Sequence, residues 1–195
     1  MKSLVLPTLL IGLTMASPSQ DFPFEFPEDP NLKPAEAEIR ETLPEHRLLR
    51  EEVGTWNATI RSFLAPGMPP TESKGVLTSE LLGEGWLVSE FVGSALGEEL
   101  RFRRTVGFDG ERNRATGVLI DPDAANVCLL DGTYDANLHK RTLTYELKDL
   151  HGVTRSYKSV EKTVDAENRT FFLFEVMEST EEVPVLLVNY ELIAR

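Results

Sequence analysis

In Leu100-Arg-Phe-Arg-Arg-Thr-Val106, counting by two places Arg104 on the same strand face as Leu100, Phe102 and Val106, while Arg101 and Arg103 share the other. A guanidinium among apolar side chains needs an anion, because burying an unpaired charge is expensive. Three outcomes are open: a carboxylate brought by a ligand, an internal pair with Glu90, or a bulge at Arg103-Arg104 that returns the charge to solvent. Glu90 shares a face with Trp86, Val88 and Val92, and Tyr157 shares one with Val153 and Arg155. Tyr157 and Tyr145 supply phenols able to assist an arginine in holding an acidic group. Arg104, Tyr157, Tyr145 and Glu90 are therefore the candidate ligand-binding residues, and their chemistry is noncovalent anchoring.

Signatures of catalysis are missing. The chain has no glycine-rich phosphate loop, no Gly-x-Ser-x-Gly elbow and no His-Glu-x-x-His helix. His46, His139 and His151 lack close metal-ligand spacing, so no metal site is expected. Neighbouring acids such as Glu98-Glu99 and Glu181-Glu182 point to opposite faces within a strand and are solvated within a turn. Cys128, in Asn126-Val-Cys-Leu-Leu130, reads as a small buried hydrophobe, and as the only cysteine it cannot form an intrachain disulfide.

Ile39, Leu43, Leu48, Leu49 and Val53 recur at helical spacings among charges. Pro44 is tolerated only in a first turn, which predicts a helix that starts near Pro44 and ends before Gly54. Beyond Gly54, short β-branched and aromatic runs alternate with Gly, Pro, Asp and Asn. They predict strands at Thr55 to Leu64, Thr71 to Leu81, Trp86 to Ser94, Glu99 to Phe108, Arg114 to Ile120, Ala125 to Tyr134, Thr142 to Leu147, Thr154 to Val164, Thr170 to Glu178 and Val185 to Ile193. The connections are too short for crossover helices. The fold class is therefore all-β: a closed antiparallel up-and-down β-barrel of about ten strands, lipocalin-like, with a short N-terminal helical segment.

Composition agrees with one domain. With 195 residues, 41% hydrophobic residues and a formal net charge of -12, the chain can bury a core but lacks the basic surface that tracks a phosphate backbone, so no nucleic-acid partner is expected. The expected partner is a small hydrophobic ligand, held without catalysis. An enzyme acting on such a ligand and an interaction module with a filled core are the rival readings. Composition sets no oligomeric state.

A family resemblance follows from the ordered series Val53-Gly-Thr-Trp-Asn57, Ala65-Pro-Gly-Met-Pro-Pro70, Leu81-Leu-Gly83 with Trp86-Leu87, Gly107-Phe-Asp109, Ile120-Asp121 and Gly132-Thr-Tyr-Asp135, ending in Asn189-Tyr-Glu-Leu-Ile-Ala-Arg195. From His46 onward this resembles the bacterial domain-of-unknown-function family 1579. It departs at Phe108, where that family usually has tyrosine, and at Val118-Leu119, where a tryptophan often precedes the Ile-Asp pair. Gly54-Thr-Trp56 also resembles the Gly-x-Trp opening of lipocalins, fatty-acid-binding proteins and nitrobindins, which implies that Trp56 closes one barrel end. Fatty-acid-binding barrels use an Arg and Tyr cluster for an acidic headgroup, as proposed for Arg104. Nitrobindin-like barrels hold haem through a histidine near the C-terminus; Pro184 to Arg195 has none, so no cofactor is expected.

Residues 1-16 read as a signal peptide: Lys2, an apolar run from Leu4 to Met15, and small residues ending at Ala16. The run is shorter than the ~20 residues that span a bilayer, so no membrane span is expected after signal cleavage, and the protein should be exported to the periplasm or secreted. Residues 17-34, rich in proline and acid, read as a disordered linker, in which Phe22, Phe24 and Phe26 alternate, and 35-195 as a single barrel domain with its helix. Exported protein should begin near Ser17; N-terminal sequencing that reads an intact Met1 would refute the assignment.

Overall fold

The structure, a computed structural model, describes residues 43–65, 67–120, 127–148 and 153–195. The expected signal peptide, the linker and residues 35–42 lie outside the described residues. Among the described residues one helix, α1 (Pro44–Glu51), precedes ten strands: β1 (Gly54–Ser62), β2 (Thr71–Leu82), β3 (Trp86–Ala95), β4 (Glu98–Asp109), β5 (Arg114–Ile120), β6 (Val127–Asp135), β7 (Lys140–Lys148), β8 (Thr154–Thr163), β9 (Asn168–Val176) and β10 (Glu182–Ala194). Every strand pairs antiparallel with its sequence neighbour, and β1 pairs with β10, closing the barrel. Closure leaves no edge strand unpaired.

Alternation decides what the barrel contains. In β1, Trp56, Ala58 and Ile60 point inward with Leu77, Phe91, Val188 and Tyr190 from neighbouring strands. A second cluster joins Val106, Ala115, Cys128, Leu130 and Leu143 across β4 to β7. Phe91 stacks on Phe102 with ring centroids 5.1 Å apart. Its ring lies over paired glycines, Gly75 and Gly93: a Cβ on Gly75 would stand 2.3 Å from Phe91 Cζ. Cys128 is buried, and desolvation pushes its thiol pKa up, so it is held as the neutral thiol.

Helix α1 covers one barrel end. Pro44 occupies its first turn, Leu48 and Leu49 are buried, and His46 Nε2 donates to Phe108 O (2.9 Å), anchoring the helix to β4. Trp56 is fully buried at the same end and its indole N–H donates to Glu52 O (3.1 Å), tying β1 to the residue that follows the helix.

Some boundaries differ from the sequence reading, and two of the differences bear on function. β7 starts at Lys140 instead of Thr142, and β9 at Asn168 instead of Thr170, which places Arg141 and Arg169 inside the barrel. β10 starts at Glu182 and so includes Pro184, where the register with β9 shifts between Pro184 and Leu186. Such an irregularity accommodates a residue with no N–H to give the ladder.

Truncating Trp56 would open a cavity and remove the bond to Glu52. Trp56→Ala should lower stability by roughly 3 to 5 kcal/mol. A urea midpoint equal to that of the parent would place the tryptophan outside the core.

Candidate functional site

At the helix-capped end the interior is ionic. Arg104 (β4), Arg141 (β7), Glu161 (β8) and Arg169 (β9) all point inward and are buried, together with Glu52 from the turn after α1. Arg104 makes a two-pronged pair with Glu161, Nη1 to Oε1 and Nη2 to Oε2. Arg141 donates to both Glu52 oxygens (3.1 and 2.8 Å) and to Glu161 Oε2 (2.6 Å). Arg169 donates to Glu52 Oε2 (2.6 Å), to Glu52 O (3.5 Å) and to Glu161 Oε2 (3.5 Å). The Arg169 guanidinium also lies 5.1 Å from the Trp56 ring centroid and 5.7 Å from that of Tyr190, and Arg141 lies 5.7 Å from that of Tyr134.

Burial opposes ionisation of Glu161, but Arg104, Arg141 and Arg169 outweigh it and hold its carboxyl well below the usual carboxylate range. Burial also opposes ionisation of the phenols, and there it prevails. Tyr190 is pushed up to about 12, and Tyr145 is also raised although Arg104 pulls it down, so both remain hydrogen-bond donors at neutral pH.

Beyond this layer, towards the strand ends remote from α1, lies a cavity of about 190 Å³. Its walls include Ile60, Phe91, Phe102, Leu143, Phe171 and Leu186, and its polar groups are Arg104, Ser159, Tyr145, Tyr190 and the half-exposed Arg101. Arg104 is the one arginine of the buried layer that lines it. The arrangement can solvate an apolar body while offering a cation and hydroxyls to one polar end.

The four residues singled out from sequence have different fates. Arg104 faces inward and is 8% exposed. Tyr145 lines the cavity, and Tyr157, its cross-strand partner, stacks on it at 6.0 Å between ring centroids. Glu90 must be corrected. The inward face of β3 carries Leu87, Ser89 and Phe91, so Glu90 stands outside, with Trp86 and Val92, and approaches Arg101 at 3.9 Å. The partner of Arg104 is Glu161. Period-two counting misled here because β3 is apolar on both faces, and an outward Trp86-Val88-Val92 stripe looks like an inward one.

Four members of the ionic layer escaped the sequence reading. Arg141 was legible: it is in phase with Leu143, Tyr145 and Leu147, one step before the expected strand start. Arg169 precedes Phe171-Phe-Leu-Phe174, where both faces are apolar, and Glu161 lies on β8, where neither face is strongly so. Glu52 belongs to no strand at all. His46 and His139 do not line the cavity; His139 Nδ1 lies 3.4 Å from Glu51, at a half-exposed site. No cluster of three or more metal-ligating side chains occurs among the described residues, nor any helix long and apolar enough to cross a membrane.

Removing one carboxylate from this layer should be costly. Glu161→Gln leaves Arg104 buried without a carboxylate and should destabilise the fold by an amount on the order of 3 to 5 kcal/mol, whereas Arg104→Met leaves Glu161 beside Arg141 and should cost less. Acid should act through the same group. An unfolded glutamate takes up its proton near pH 4.3, at roughly the model-peptide value. The folded one does so only at lower pH, so the contribution of Glu161 is complete above that value and is lost as pH falls through the folded pKa. Urea midpoints should fall more steeply in the parent than in Glu161→Gln between about pH 5 and pH 3. Parallel curves would show that this carboxylate does not set the acid limit.

Comparison with known proteins places the fold and the family. No curated protein matches the chain. The crystal structure of Rv2717c from M. tuberculosis is similar with a TM-score of 0.55 at 13% identity, covering 78% of this chain and 99% of that one. The S-type phycobiliprotein lyase CpeS from Guillardia theta is similar with a TM-score of 0.51 at 9% identity, covering 79% of this chain and 94% of that one. At such identities the likeness is one of fold alone. The family model described as protein of unknown function (DUF1579) matches residues 41–191, and the chain belongs to that family.

Proposed function

We propose that the protein is an exported, noncatalytic binder of a small, largely apolar molecule with an acidic group, held inside the barrel with that group at Arg104. The observation that carries the reading is the interior cavity of about 190 Å³, apolar in its walls and ended by a buried guanidinium. A scaffold with a filled core would close such a space, because unfilled volume weakens packing. Neither His46 nor His139 reaches the cavity, so among the described residues Ser159 has no imidazole to activate it. The likeness to a phycobiliprotein lyase is one of fold and does not carry an activity with it. Export rests on the apolar run of residues 4 to 15.

The test is a titration with an apolar fluorescent probe, alongside native mass spectrometry of protein taken from its own periplasm or medium. The parent should bind one probe and carry a retained small molecule. Leu186→Trp, which adds bulk at the cavity wall, should weaken probe binding by about tenfold or more while leaving the thermal midpoint nearly unchanged. An empty parent that binds no probe would favour the filled-core reading.

A further inference from the structure

We infer that the molecule held in the cavity carries one negative charge, set by an excess of one cation in the buried layer. This rests on the reading of the cavity as a ligand site and specifies what that site selects. Three guanidiniums, Arg104, Arg141 and Arg169, face two carboxylates, Glu52 and Glu161. Arginine keeps its charge at any ordinary pH, and both carboxylates serve as acceptors in every bond they make here. Three cations against two anions leave one positive charge in excess. The layer is short of acceptors as well: Arg141 Nε is buried with no hydrogen-bond partner.

Position decides where the missing anion belongs. Arg141 and Arg169 are held by both glutamates and covered by the rings of Tyr134, Trp56 and Tyr190, away from the apolar space. Arg104 uses two of its five N–H donors on Glu161 and lines the cavity beside Ser159, Tyr145 and Tyr190. An anion entering among those groups meets the uncompensated charge through Arg104. Arg101 also lines the cavity, but its side chain is half exposed and approaches Glu90 at 3.9 Å, and Arg155 pairs with Glu175 at 2.7 Å; neither enters the count of buried charges. A neutral headgroup would leave the excess cation in place. A doubly charged one would turn the excess negative, in surroundings of low dielectric where either sign is penalised.

The experiment compares three probes with one tail on the full chain by calorimetry: octanoate, octanol and octyl phosphate, the last doubly charged at about pH 8. Octanoate should bind about tenfold or more tighter than either of the others. Arg104→Gln, which brings the count to two against two, should erase the preference for octanoate over octanol while retaining octanol binding. Equal binding of octanoate and octanol by the parent overturns the charge assignment, and the acidic group at Arg104 with it, and leaves only the binder of an apolar molecule standing. Tighter binding of octyl phosphate overturns the count of one. Failure of all three to bind removes the ligand site itself, and the inference with it. The parent comparison decides the matter even if the variant does not fold.

Discussion

Glu161 is shared by three guanidiniums, and the barrel interior is organised around that meeting. Its partners arrive from separate strands, Arg104 from β4, Arg141 from β7 and Arg169 from β9, and Glu52 completes the group from beyond α1. The pairs join residues 57, 89 and 117 positions apart in sequence. Such contacts require the intervening registers to be right at once, since a slip of one residue would turn an arginine out to solvent and leave a carboxylate behind. The ionic layer therefore penalises wrong pairings.

Stability need not be its main contribution. A buried ion network repays its desolvation only with good geometry, and apolar side chains of the same volume often serve a fold as well. What the layer does is divide the interior. On one side α1, Leu49 and Trp56 seal the barrel, with the Trp56 indole bonded to the backbone of Glu52. On the other side the walls become apolar and part to leave a cavity. Glu52 links the two halves: its carboxylate enters the layer while its carbonyl holds Trp56 and Arg169. The residue after the helix thus fixes both how the barrel is capped and how much cation remains on the cavity side.

The acidic surface and the cationic interior have different origins. Among the described residues, most glutamates and aspartates are exposed, in turns and on outward strand faces, where water and salt screen them. Inside, five charges in a confined volume interact far more strongly, and an imbalance of one matters more there than the same imbalance among exposed charges.

Strand runs with turn residues between them, the Pro44 helix start and the order of strands without crossovers determine a ten-stranded antiparallel barrel from sequence alone, because alternation and turn chemistry are local properties. The inward position of Arg104 was equally local, since only one face of Leu100 to Val106 is apolar. The partner of that arginine was not. On β3, apolar residues on both faces make inside and outside indistinguishable along the chain, and Glu90 was placed inward on that pattern. On β8, mixed faces concealed Glu161, and Glu52 lies in no alternating pattern. Which carboxylate meets which guanidinium, and whether their charges balance, was decided only when ten registers closed into a ring, because a buried charge is satisfied by whatever the fold brings within a few ångströms.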